Sequence, residues 1–209
     1  MEQTVRIELE TVTLDGVLGL PEQAKGVVIF AHGSGSSRLS PRNTYVARVL
    51  QQSGIGTLLF DLLTGAEDRD YAQRFDIGLL VERLVGATRW LKGRPELHGV
   101  TLGYFGASTG AAAALQGAAL LGEAVKAVVS RGGRPDLAMP YLGKVAAPTL
   151  LIVGELDWEV LQLNRQALAQ LNVGKELAVV PGATHLFEEP GTLEEVARLA
   201  KTWFIRHLG

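Results

Sequence analysis

The chain has 209 residues, 47% hydrophobic and 20% charged, with a formal net charge of −2. That length suits one domain (1–209) with a full core, and the near-neutral balance offers no electrostatic footprint for nucleic acid or an acidic membrane surface. The absence of cysteine excludes disulfides, thiolate chemistry and cysteine-based metal sites. His32, His98, His185 and His207 lack the close spacing of a helical metal site, so neither a metal nor a cofactor is expected.

The opening "MEQTVRIELETVTLDG" alternates polar and apolar residues, which predicts a strand over 5–14 rather than a signal peptide. Asp15-Gly16 is a hairpin-turn dipeptide, with 17–20 as the returning strand. "GVVIFAHG" (26–33) is a short continuous apolar run, as for a strand covered on both faces. Helical spacing predicts a helix over 41–53, followed by a buried strand at 56–62. Residues 64–74 are polar and read as a solvated loop, and 75–92 as an amphipathic helix. Strands are then expected at 100–105, 125–130, 148–153 and 176–180, with helices at 108–121, 159–171 and 193–207. A Gly/Pro-punctuated connector fills 131–147. No apolar run is long enough to span a bilayer, and a soluble, cytoplasmic protein is expected. Alternating buried strands and helices predict a parallel sheet with helices on both faces.

The pentad "GASTG" (106–110) lies between an apolar strand and an alanine-rich helix. A G-x-S-x-G pattern in that setting is a nucleophile elbow. A serine on so tight a bend needs small neighbours, and the following helix start directs free N–H groups at the reacting centre. The two nucleotide-binding alternatives each miss an essential residue. No Gly-Lys-Ser/Thr follows the bend, and Arg38 stands where "HGSGSSR" would need the third glycine of a dinucleotide fingerprint.

Serine becomes a nucleophile only beside a base, and the base needs an orienting acid. In this architecture the chain order is Ser, Asp/Glu, His. His185, just past the last strand in "VVPGATHLFEEPG", is the candidate base, and His207 reads as a helix-end histidine. Asp157, in the loop of "PTLLIVGELDWEV", is the first candidate for the acid and Glu155 the second. Asp136 reads as a surface salt-bridge residue, and Asp61 as a loop cap. For the oxyanion hole, the N–H of Thr109 and one from the loop after "VVIFAHG" are expected. Ser34 is the first choice there, with Gly35 next. Gly33 and Gly35 let backbone approach a substrate, while His32 is expected to shape this loop.

With these pieces placed, the chain resembles the dienelactone hydrolase-like group of the α/β-hydrolase superfamily. The resemblance is carried by "FAHGSGSSRLSPRN", "GYFGASTGAAAAL", "SRGGRPDLA", "APTLLIVGELDWEV" and "VPGATHLFEEPG". It implies an α/β-hydrolase fold, with a mostly parallel eight-stranded sheet, and a Ser108–Asp157–His185 triad. Enzymes of the group that open dienelactones typically use cysteine, with a glutamate after the third strand. This chain has neither, so a serine carboxylesterase is expected. The gap between 129 and 150 is too short for a lid domain, which points to an open site for small or short-chain esters. Among the loop arginines, Arg131 above all, with Arg38, Arg42 and Arg134, is a candidate contact for an anionic substrate group. Thioesterase, lactonase or acyltransferase chemistry on the same triad, or a silent binding protein on this fold, are the alternatives.

Overall fold

The computed structural model describes residues 2–209. Its strands are β1 (Glu2–Glu8), β2 (Thr13–Gly19), β3 (Gly26–Ala31), β4 (Gly56–Phe60), β5 (Thr101–Ala107), β6 (Ala127–Arg131), β7 (Thr149–Gly154) and β8 (Lys175–Val180). They form one eight-stranded sheet in the order β1-β2-β4-β3-β5-β6-β7-β8. β1 and β2 pair antiparallel, β2 meets β4 antiparallel, and every pairing from β4 to β8 is parallel.

The period-2 geometry of the strands divides the core in two. Val27, Ile29 and Ala31 of β3 face one side, and Val28 and Phe30 face the other. Helices α1 (Pro41–Gln51) and α7 (Thr192–Leu208) cover the Val28 side. Helices α3 (Ile77–Lys92) and α4 (Thr109–Leu121) cover the Val27 side, joined there by Leu142 from the short α5 (Met139–Leu142). Helix α6 (Trp158–Gln170) packs on β7 and β8. Local signals start these helices. The Ser40 hydroxyl accepts from the Asn43 N–H with Pro41 in the first turn of α1, and Asp76 accepts from the Leu79 N–H at the start of α3. In α7, Glu194 and Glu195 lie in the first turn and Arg206 and His207 in the last, matching the helix dipole.

The sheet order places a topological switch at β3. From β3 the chain leaves to β4 on one side, and it returns through α3 to β5 on the other. The loops leaving the C-terminal ends of β3 and β5 therefore diverge and open a crevice, the usual ligand position in such sheets. The 132–148 connector holds only a 3₁₀ turn (Pro135–Ala138) and α5, and no lid domain. Among the described residues, no helix is long and apolar enough to cross a membrane.

Two expectations are corrected. Asp15-Gly16 is not the hairpin turn. The reversal falls at 9–12, closed by the Leu9 N–H on the Val12 carbonyl at 2.9 Å, and Gly16 lies within β2 opposite Val5. A β-carbon at Gly16 would meet Val5 Cγ2 at 3.1 Å and the Leu59 carbonyl oxygen at 3.2 Å. The glycine thus serves a close approach between strands rather than a turn. Residues 64–74 are not a plain loop either. They form a 3₁₀ turn (Glu67–Arg69) and α2 (Tyr71–Arg74), held by Arg83 on Glu67 at 2.9 Å and Arg74 on Asp68 at 3.3 Å.

Beneath α4, Tyr104 is fully buried, and its hydroxyl lies 2.6 Å from Thr88 Oγ1. Thr88 Oγ1 donates to the Leu84 carbonyl at 2.8 Å, so the tyrosine supplies the proton of the shared bond. Burial pushes the phenol pKa up and keeps it neutral. Thr88→Val leaves that phenol unsatisfied and should cost about 1–3 kcal/mol in urea denaturation. The Thr88→Val/Tyr104→Phe double variant should be less destabilised than Thr88→Val alone.

Candidate active site

The bend between β5 and α4 is built by exclusion of side chains. A β-carbon on Gly106 would lie 2.6 Å from the Gly110 carbonyl oxygen and 2.8 Å from the Ala111 nitrogen. One on Gly110 would lie 2.5 Å from the His32 carbonyl oxygen and closer still to that of Ala31. Ala111–Ala114 are fully buried, which lets the helix lie against the sheet. Ser108 sits at the apex with φ 51° and ψ −121°, a strained conformation for a residue with a β-carbon. It occupies the N-cap of α4, yet its hydroxyl makes no capping hydrogen bond. The turn is clamped from β6, because the Ser108 N–H donates to the Arg131 carbonyl at 3.2 Å and the Arg134 N–H to the Ser108 carbonyl at 3.1 Å.

Asp157 and His185 come from the loops after β7 and β8. His185 Nδ1 lies 2.6 Å from Asp157 Oδ2. Glu155 is placed elsewhere, accepting from the Gly182 N–H at 2.8 Å. The Glu155 N–H on the Val180 carbonyl and the Leu156 N–H on the Ala183 carbonyl, both at 2.9 Å, further tie the two loops. Gly132, at φ +51°, passes beside the histidine; a β-carbon there would stand 3.2 Å from the His185 carbonyl oxygen. Sequence reasoning did not single out Gly132, and only the doubled glycine of "RGGR" hints at it.

Ser108 and His185 line one cavity of 240 Å³, together with Gly33, Ser34, Ser36, Ser40, Arg42, Ala107, Arg131 and Leu186. Gly33 and Ser34 thus share a cavity with Ser108, while Gly35 lines the neighbouring crevice beside Leu63 and Arg74. The Ser34 N–H donates to Thr109 Oγ1 at 3.0 Å, joining the two loops that face the serine. Thr109 is the first residue of α4, so its own N–H is among the donors without an intrahelical acceptor.

The remaining candidates separate clearly. Asp136 pairs with Arg134 at 2.8 Å. Asp61 holds the loop after β3, not the one that follows it, by accepting from the Arg38 backbone N–H at 2.7 Å and from the Arg38 guanidinium. His207 packs on the Trp203 ring at 4.6 Å, far along α7. Of the four arginines, Arg38 and Arg134 are engaged by carboxylates away from the cavity, whereas Arg42, which also reaches Glu188 at 3.2 Å, and Arg131 line it. Arg131 is buried, with its guanidinium 5.9 Å from the Phe187 ring centre and Nη2 3.4 Å from Asn43 Oδ1. Burial, with the neighbouring Arg42 charge adding to it, lowers its pKa to about 10.

His32 fills the structural role expected. Its Nδ1 donates to the Gly33 carbonyl at 2.9 Å, and its Nε2 accepts the Leu62 N–H at 3.0 Å. An acceptor at Nε2 requires the neutral ring, and burial lowers the pKa accordingly.

The family model described as the dienelactone hydrolase family matches residues 14–205. The chain belongs to that family. A crystal structure titled dienelactone hydrolase from Anabaena variabilis is 55% identical, with a TM-score of 0.97, covering 100% of this chain and 99% of that one. Est1E from Butyrivibrio proteoclasticus is 16% identical with a TM-score of 0.84, covering 97% and 98%, and shares the fold. Two Mycobacterium tuberculosis proteins, each named "Putative phosphoribosyl transferase", are 58% identical over 207 residues, which is 99% of this chain and 47% of theirs. The chain thus spans about half the length of these curated relatives.

The neutral His32 has a consequence for stability. Its folded pKa lies below the ordinary value, so the stability it contributes is complete above about pH 6.5 and is lost as pH falls, where the unfolded chain takes up the proton first. The unfolding free energy should fall by up to about 1.4 kcal/mol per pH unit below that point from this residue. A His32→Gln variant, less stable at neutral pH, should show a correspondingly flatter profile in denaturant titrations between pH 7 and pH 5.

Proposed function

We propose that the protein is a serine hydrolase that cleaves small carboxylic esters through an acyl-enzyme on Ser108. The observation that carries this reading is the 2.6 Å Asp157–His185 pair, whose imidazole lines the same cavity as a strained, uncapped serine. An ionised carboxylate only accepts, so His185 Nδ1 carries the hydrogen and Nε2 is left as the basic nitrogen. That nitrogen takes the Ser108 proton as Oγ attacks the ester carbonyl carbon. Asp157 fixes the tautomer and stabilises the imidazolium. Collapse of the tetrahedral intermediate breaks the acyl–oxygen bond, and His185 returns the proton to the departing alcohol. Water, deprotonated by His185, then releases the acid and restores Ser108.

The oxyanion is received by the Thr109 N–H; the Ser34 N–H, expected as the second donor, is instead held by the Thr109 hydroxyl at 3.0 Å and fixes the β3 loop against the start of α4. Losing one such donor lowers kcat by about 10²–10³-fold. The cavity is small and has no lid domain above it, which favours short acyl groups over long chains. The transferase name of the mycobacterial relatives covers chains twice this length, while the segment they share with this chain is the one that matches the hydrolase family.

Ser108→Ala should lower kcat by about 10⁴–10⁶-fold with the fold retained. An organophosphonate should label the wild-type chain at Ser108, read by peptide mass spectrometry. Normal turnover by the alanine variant would overturn the assignment. Across p-nitrophenyl esters of increasing chain length, kcat/KM should be highest for the shortest acyl groups, and a preference for long chains would contradict an open, shallow site.

A further inference from the structure

The two arginines in the catalytic cavity have no role in the proton transfers just described. Arg131 is the last residue of β6, only 7% exposed, and lines the cavity with Ser108. No carboxylate lies within ion-pair distance of it among the described residues. Its Nε is buried without an acceptor, and its one polar partner is the neutral Asn43 amide at 3.4 Å. Arg42, in the first turn of α1, also has a buried Nε without an acceptor. Its Nη1 reaches Glu188 at 3.2 Å, a carboxylate that is largely exposed to solvent.

Desolvating a guanidinium without a counter-charge is costly, and a second guanidinium beside it adds repulsion. Elsewhere in this molecule the solution is a carboxylate partner. Arg83, equally buried, has both Glu67 and Glu82 at 2.9 Å. Beside Arg131 the corresponding negative charge is missing from the protein, and, apart from Ser108 and His185, the cavity adds the hydroxyls of Ser34, Ser36 and Ser40. These are hydrogen-bond donors as well.

We infer that this end of the cavity, formed by Arg131, Arg42 and the serines, is a subsite for a phosphate monoester carried by the substrate. This deepens the hydrolase reading and rests on it. The scissile bond remains a carboxylic ester, and the phosphate leaves untouched on one of the two products. A dianionic phosphate, with three terminal oxygens, matches two guanidinium groups and several hydroxyls. A single carboxylate would be saturated by the planar fork of Arg131, whereas the third oxygen of a phosphate is left for Arg42, whose own partner Glu188 is largely solvated, and for the hydroxyls.

Binding can be tested apart from catalysis. Inorganic phosphate titrated calorimetrically into the Ser108→Ala protein should bind at one site. Arg42→Gln and Arg131→Gln, each made in that background, should weaken it at least tenfold. Arg42 is the more exposed of the two, so its variant tests the subsite even if loss of Arg131 disturbs folding. In the wild-type enzyme, acetyl esters of glycerol phosphate, glycerate and glycerol should be compared. The phosphate ester should be hydrolysed with at least tenfold higher kcat/KM than either of the others, chiefly through KM. Absence of phosphate binding, equal rates for the three, or preference for the glycerate ester would overturn the subsite. If no ester is hydrolysed and Ser108 is not labelled, the hydrolase reading fails instead, whatever the phosphate titration shows.

Discussion

One close approach governs the site. Helix α4 leaves β5 so near to β3 that the carbonyls of Ala31 and His32 stand where a β-carbon on residue 110 would need to be. From that constraint follow the glycines at 106 and 110, the four buried alanines and the positive φ of Ser108. Backbone strain of this kind costs about 1–3 kcal/mol. It persists here because the turn is clamped by the Ser108 N–H on the Arg131 carbonyl and the Arg134 N–H on the Ser108 carbonyl, between two apolar cores. The result is a hydroxyl held out of the helix cap, at the point where the β3 and β5 loops part.

Charge is distributed with equal economy. Arg38 and Arg134 close ion pairs that set the shape of neighbouring loops, and neither lines the cavity. His32 stays neutral and spends both ring nitrogens on the backbone around 33 and 62. Arg131 keeps its charge, since a pKa of about 10 leaves it cationic at neutral pH, but it has no anionic partner. Arginines of the same loop-rich edge thus divide into structural and available ones. Sequence distance does not predict the division, as Arg131 and Arg134 are three residues apart.

Much of this was legible in the chain because the governing rules are local. Buried parallel strands read as apolar runs, so β3 to β8 fall within a few residues of expectation. The elbow is visible because only small residues fit around it. Asp157 and His185 are visible because a doubly wound sheet delivers its loops to one edge. The misreadings came from non-local causes. Gly16 looks like a turn residue, but it is a glycine because Val5 and Leu59 crowd it from neighbouring strands. The polar segment 64–74 looks solvated, but Arg83, buried on a helix that follows it, draws Glu67 into an ion pair. Nothing in the local pattern marks Arg131 as buried, because its environment is assembled from α1, β6 and the loop that carries Phe187.

The two carboxylates of "GELD" show how finely loop geometry separates structural from chemical roles. Glu155 and Asp157 are two residues apart on one loop, and either could serve as an acid by composition. The Glu155 side chain is taken by the Gly182 N–H, and its backbone N–H reaches the Val180 carbonyl. Together with the Leu156 bond to Ala183, these contacts brace the histidine loop directly against β7. The loop that carries His185 is thus braced by contacts other than the Asp157 side chain. The Asp157 carboxylate instead meets the ring, 2.6 Å from Nδ1, and in the proposed mechanism it sets which nitrogen carries the hydrogen. In the proposed mechanism, a loop that divides bracing from proton placement in this way keeps the imidazole in place before substrate arrives, facing the strained serine at the end of β5.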